Sequence, residues 1–149
     1  MGESMRKIEF RAWDKKNRVM LPVKYMDFKE WWVSCDPTYG ETNPLQYGER
    51  NSFENQRTDR HIIMQYTGLR DRNAKEIYEG DILASVKYNS NELSNSELRW
   101  EIYFNEERLT FYRRDKKEGI VNPFWEFNLG SVQHIVVGNI YENPELLTE

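Results

Sequence analysis

The residues able to do chemistry are few in this chain, and their spacing does not suit it. Two histidines, His61 and His134, and a single cysteine, Cys35, occur in 149 residues. A nucleophilic triad or a Cys–His pair needs a histidine beside the nucleophile. His61 stands among charged residues at a strand start. His134 lies within an apolar run, where a hydrogen-bonded structural histidine is the ordinary outcome. Cys35 has no partner for an intrachain disulfide and reads as a small side chain beside a loop. Zinc sites use Cys and His at short spacing, and that pattern is missing. Asp71, Glu76, Glu79 and Asp81 crowd one short stretch and carry the oxygen ligands a hard cation takes. Their spacing is not that of an EF-hand, and carboxylates at turns commonly accept backbone N–H bonds. The glycines occur singly, without a phosphate-binding fingerprint. No catalytic residue, cofactor site or metal site is assigned, and the chain is expected not to be an enzyme.

Binding is the remaining class. Arg113, Arg114, Lys116 and Lys117 form a basic tip beside Tyr112, and Arg70, Arg72 and Lys75 form a second. Cations next to aromatic rings can follow a nucleic-acid backbone and stack its bases. Asp115, Glu118, Asp71 and Glu76 interleave with them, and the net charge is −4. That balance gives no global attraction for nucleic acid, so a nucleic-acid-associated accessory role is the second reading. Protein contact is the first. Tyr25, Phe28, Trp31, Trp32 and Tyr39 fall outside any strand the sequence assigns, and exposed aromatics mark interfaces more often than active sites. The competing role for them is to plug one end of the fold. A homo-oligomer is expected, because a β protein must cover its sheet edges.

Composition sets the frame for these groups. One cysteine fits a reducing compartment. No apolar stretch follows the N-terminal charges, and no run reaches the ~20 apolar residues of a membrane span. A cytoplasmic location without membrane contact is therefore expected. Residues Met1 to Ser4 precede a second methionine, Met5, and read as an alternative start. Apolar residues make up only 38% of the chain, but five Trp, nine Tyr and seven Phe supply large buried areas per side chain.

The elements that position these residues read as short strands. Ile8, Phe10 and Ala12 alternate with Lys7, Glu9 and Arg11, the period of a half-buried strand. A polar turn at residues 14–18 and the apolar Val19-Met20-Leu21 complete a hairpin. Residues 22–60, rich in turn formers, read as a loop-dominated excursion with one short helix. Alternation returns at residues 61–66, 82–88, 97–105, 109–113 and 125–129, with a short return strand at 75–78. Residues 132–137 are almost wholly apolar, which predicts a strand covered on both faces. Asn143-Pro144-Glu145 predicts a helix start with Asn143 as cap. Seven or eight short strands with little helix argue for a barrel or a sandwich.

Three strings then resemble the YopX-like family of phage and prophage proteins. They are Arg6-Lys7-Ile8-Glu9-Phe10-Arg11-Ala12-Trp13-Asp14, the run from Met64 through Thr67-Gly68-Leu69-Arg70-Asp71-Arg72-Asn73-Ala74-Lys75 to Leu83, and Val137-Gly138-Asn139-Ile140-Tyr141-Glu142-Asn143-Pro144. They lie at the beginning, middle and end, so the resemblance spans nearly the whole of residues 5–149 as a single domain. It implies a mainly β fold in three parts. An accessory mixed N-terminal segment covers residues 5–61, an SH3-like β-barrel covers 62–140, and a tail at 141–149 holds a short helical turn. It also implies phage origin, expression in a bacterial host and a phage or host protein as the other candidate partner, and it supplies no reaction. One departure stands out: Asn73-Ala74 replaces the family's Asn-Gly. Alanine is strained at φ > 0, so Asn73 is expected to hold the left-handed position and Ala74 an extended or right-handed one.

Overall fold

Three polar turns organise the strands, and all three are built alike. A computed structural model describes residues 7–27, 29, 32–35, 61–86, 99–115, 119, 121–123 and 133–148. Among these, ten strands occur: β1 (Phe10–Asp14), β2 (Val19–Asp27), β3 (Trp32–Cys35), β4 (His61–Arg70), β5 (Glu76–Tyr78), β6 (Asp81–Val86), β7 (Arg99–Asn105), β8 (Thr110–Asp115), β9 (Val121–Pro123) and β10 (Gln133–Asn139). Each of the hairpins β1–β2, β4–β5 and β7–β8 opens on an Asp or Asn that caps its own turn. Asp14 Oδ1 accepts the N–H groups of Lys16 and Asn17 at 2.9 and 3.1 Å. Asp71 Oδ1 accepts those of Asn73 and Lys75 at 2.8 and 2.9 Å. Asn105 Oδ1 accepts that of Arg108 at 2.9 Å. Each loop closes on a residue in left-handed backbone: Arg18 (φ 55°), Ala74 (φ 64°) and Leu109 (φ 51°).

Ala74 thus corrects the expectation that Asn73 would hold the left-handed position. The loop is not a two-residue turn centred on Asn73-Ala74. The Asp71 N–H donates to the Lys75 carbonyl at 2.8 Å, and the Ala74 N–H donates to the Asp71 carbonyl at 3.0 Å. A three-residue loop of this kind is a type I turn followed by a left-handed residue, and that third loop position is Ala74.

Contacts divide the chain into two units, Ile8–Gln65 and Tyr66–Glu149 with Lys7. In the first, the antiparallel strand order is β3-β2-β1-β4. Its core joins Ala12, Leu21, Val33 and Cys35. Residues 22–27 and 32–35 form strand within the stretch expected to be mostly loop; residues 36–60 lie outside the described residues. Pro22 does not end the strand, because pairing with β3 begins only at Val23, so its missing N–H costs no bond to β3. His61 and Asp14 are both buried here, with Nε2 and Oδ2 3.8 Å apart.

In the second unit, the end of β4 pairs with β5, and a separate antiparallel sheet runs β10-β6-β7-β8-β9. Its core joins Ile77, Leu83, Trp100, Ile102 and Phe111. Among the described residues the pairing stays open and does not close into a barrel. The expected closed SH3-like ring is thereby reduced to a mainly β fold of antiparallel sheets. One end strand, β9, is three residues long and finishes on Pro123, which has no N–H to donate to a ladder. The strand covered on both faces is β6, every residue of which is buried. Strand β10, expected to be so covered, lies at a sheet edge with Ile135, Val136 and Val137 only half buried. An edge strand has only one neighbour to shield it.

The C-terminal helix start is a single 3-10 turn, Pro144–Leu147. Pro144 occupies its start as expected, but Asn143 makes no side-chain cap there. Its Oδ1 instead accepts the Asn139 N–H at 3.4 Å. The turn packs on β7 and over Gly138. A Cβ at Gly138 would stand 2.6 Å from Asn143 Oδ1 and 2.9 Å from Leu146 Cδ1, so any other residue would force those side chains to move. Gly80, at φ 76°, donates its N–H to Ile102 and accepts from Ile140. It therefore joins β7 to the residue that follows β10. No helix among the described residues is long and apolar enough to cross a membrane.

Candidate protein-binding face

Alternation along β7 and β8 sends Trp100, Ile102, Phe111 and Arg113 to one side of the sheet and Glu101, Tyr103, Tyr112 and Arg114 to the other. The first side is the core. The second is a grid set by register. Glu101 pairs with Arg114, which pairs with Val121; Tyr103 pairs with Tyr112, which pairs with Pro123. Residues directly opposite project to the same side, so these six share one face.

The face has a buried end and an open end. Ile82, opposite Glu101, is fully buried, and Glu101 itself is 3% exposed. The C-terminal turn covers this end, because it lies over Gly138, the partner of Ile82. Exposure then rises across the row to Val121 at 50%. The Tyr103 and Tyr112 rings lie 6.1 Å apart and are half buried.

A buried carboxylate demands a partner, and Glu101 has a bidentate one. Arg114 Nε donates to Oε2 at 3.0 Å and Nη2 to Oε1 at 2.7 Å. The guanidinium also stacks on Tyr103, 4.6 Å from the ring centre. The Glu101 hydrogen bonds raise the pKa of Arg114 above its ordinary value, so this cation keeps its proton and its place. Chemically the face offers flat rings, an aliphatic edge and a pre-positioned guanidinium. Those are the groups that carry binding energy at interfaces.

The sequence-assigned residues are distributed as follows. Arg114 lies on this face. Arg113 points to the core side, its guanidinium 4.4 Å from the Trp100 ring centre. Lys116 and Lys117 lie outside the described residues, as do Phe28, Trp31 and Tyr39. Tyr25 and Trp32 are strand residues, in register with Ser34 and Asp27. Sequence reasoning did not single out Tyr103, Val121 or Glu101. The signal was the hairpin register, which puts Glu101 opposite Arg114.

The other groups with chemical potential are structurally engaged. His134 Nε2 meets Ser85 Oγ at 3.3 Å in the buried interior. Asp71 Oδ2 accepts the Val136 N–H at 2.9 Å, in addition to the two turn bonds of Oδ1. Asp81 accepts the Tyr78 N–H at 2.8 Å. Glu76 accepts from Lys7 at 2.8 Å, from Arg70 at 3.1 Å and from the Tyr78 hydroxyl at 3.0 Å. Those bonds, that of Lys7 foremost, hold its carboxyl below the usual pKa. The acidic set is turn and strand chemistry, and among the described residues no three or more His, Cys, Asp or Glu side chains gather as a metal site.

Comparison with known proteins adds a family. Residues 9–148 match the family model described as YopX protein, the region spanned by the three resembling strings. The solved structure of protein EF1440 from Enterococcus faecalis is 27% identical. It aligns over 95% of this chain and 98% of its own, with a TM-score of 0.57. Protein yopX from Bacillus subtilis, 18% identical, aligns over 96% and 99% with a TM-score of 0.51, a likeness of fold alone. No curated protein matches.

Proposed function

We propose a non-catalytic contact role for this chain, which belongs to the YopX protein family, and take that membership as the premise. On this reading it is a phage- or prophage-encoded module that works in the host cytoplasm and assembles with copies of itself. The observation that carries the proposal is the open end of the β7–β8–β9 face. Tyr103, Tyr112, Val121 and Pro123 surround an arginine already fixed by Glu101, so little side-chain freedom remains to be lost on binding. An SH3-like shape is part of the proposal, supported by the return of β10, the last strand, beside β6.

Nucleic acid is the lesser reading, because Arg114 is neutralised by Glu101 and the chain is acidic overall. Light scattering across a concentration series tests the module directly. A mass above that of one chain supports it, and a strict monomer at every concentration removes self-assembly. A mobility shift with DNA or RNA that weakens steeply with salt would favour nucleic acid instead.

A further inference from the structure

The strands that end the two sheets differ in length. Among the described residues, β3 has four residues, β5 and β9 have three each, and β10 has seven. A short edge offers few groups for a foreign strand to pair with, and β9 adds Pro123. Strand β10 has neither defence. Its sequence, Gln133-His134-Ile135-Val136-Val137-Gly138-Asn139, contains no Pro, Lys, Arg, Asp or Glu, and three β-branched residues stand in a row. A long, β-branched edge without such residues invites another chain to add to it.

The β4–β5 turn lies along that edge. The Arg72 N–H donates to the His134 carbonyl at 3.1 Å, and Asp71 Oδ2 accepts the Val136 N–H at 2.9 Å. One residue of a parallel neighbouring strand would engage the same two groups, its N–H on the first and its carbonyl on the second. Here the Asp71 carboxylate stands in for that carbonyl. The imitation stops after one residue. The chain reverses at once, through the bond from the Ala74 N–H to the Asp71 carbonyl, so no ladder grows from it. The carboxylate is held by its other oxygen, which accepts the N–H groups of Asn73 and Lys75. It also places a negative charge at an edge whose own sequence supplies no acid.

We propose that the β4–β5 turn is an edge guard: Asp71 and Arg72 hold the outer edge of β10 closed against the β10 strand of a second copy. Identical edges pair antiparallel about a two-fold axis, so β10, once uncovered, meets its own like. The guard is separate from the β7–β8–β9 face and does not depend on the role proposed for it.

Two substitutions each remove one guarding bond and spare the turn. Asp71→Asn keeps an oxygen for Asn73 and Lys75 but puts amide N–H groups where Oδ2 accepts from Val136. Arg72→Pro deletes the N–H given to His134, at the turn position where proline is favoured. Arg72→Ala keeps that N–H and is the control for the side chain. Gly68→Ala strains β4 at φ 89° without touching either bond, and is the control for lost stability. Sedimentation velocity at matched concentrations, with amide exchange at Val136, compares these variants with the wild type as full chains.

The variant carrying both Asp71→Asn and Arg72→Pro is expected to self-associate about tenfold or more tightly than wild type. Its Val136 amide should exchange faster than wild type when dilute and be protected again when concentrated. Adding Ile135→Lys, a charge on the edge strand, should return the mass to that of wild type. Both controls should match the wild-type mass. Faster exchange at Val136 without added mass overturns the proposal, as does unchanged exchange. So does added mass that survives Ile135→Lys, or that either control reproduces. If the double variant does not fold, each single substitution repeats the measurement, and failure of both to fold makes the turn a requirement of folding and overturns the guard. The wild-type mass serves only as the reference, so these outcomes leave the contact-module reading untouched.

Discussion

Replacing Ala74 by glycine should make the protein more stable, although no contact is added. Ala74 holds φ 64° in the β4–β5 loop, and a non-glycine residue there costs roughly 1–2 kcal/mol against right-handed backbone. Glycine avoids that strain but loses about 0.4–1 kcal/mol more chain entropy on folding than alanine. Mid-values of about 1.5 and about 0.7 leave a net gain of about 0.8 kcal/mol. For a chain of this size that raises Tm by roughly 2–3 °C. The assay is urea unfolding followed by tryptophan fluorescence, with thermal melting by circular dichroism. Gly68 supplies the opposite test. It sits at φ 89° with open space where a Cβ would stand, so Gly68→Ala should destabilise through backbone strain alone. If Ala74→Gly lowered the urea midpoint at unchanged m, the account of the three turns would be wrong.

The remaining predictions concern charged groups. Arg114→Ala strands the buried Glu101 carboxylate and should cost about 2–3 kcal/mol by urea unfolding, below the ~3–5 of a fully buried pair because Arg114 is 41% exposed. Changing both residues to Met should recover most of that loss; no recovery would show that the cost lies elsewhere. Asp71→Ala removes acceptors for three backbone N–H groups and should cost about 1–3 kcal/mol, with faster amide exchange at Val136; unchanged exchange there would count against the Asp71 tie to β10. Glu76, with its carboxyl held below the usual range by Lys7, contributes fully above the unfolded pKa near 4.3 and loses that contribution as pH falls through its lower folded value. Glu76→Gln should therefore lower stability slightly at pH 7, under about 1 kcal/mol for so exposed a network, and flatten the acid limb; an unaltered acid limb would refute the assignment.

Much of the fold was legible from alternation. Trp100 and Ile102 fall on the buried face that their spacing requires, and the hairpins at Asp14, Asp71 and Asn105 open on the residue types that cap turns. Non-local facts were not legible. The burial of β6 on both faces depends on neighbours from residues 99–105 and 133–139 and on the C-terminal turn, none of which its own six residues reveal. The left-handed Ala74 was misplaced by one residue because loop length, set by the pairing of Asp71 with Lys75, decides the turn type. The candidate face shows the same limit. Arg114 stood out by its type, whereas Glu101 carried no signal of its own until the register placed it opposite that arginine.

The central claim, that this YopX-family chain is a platform for contact, is tested most directly by sedimentation equilibrium of the wild-type protein over a wide concentration range. The account predicts a mass that climbs above the 18.0 kDa of one chain as concentration rises. A mass fixed at one chain throughout would contradict it.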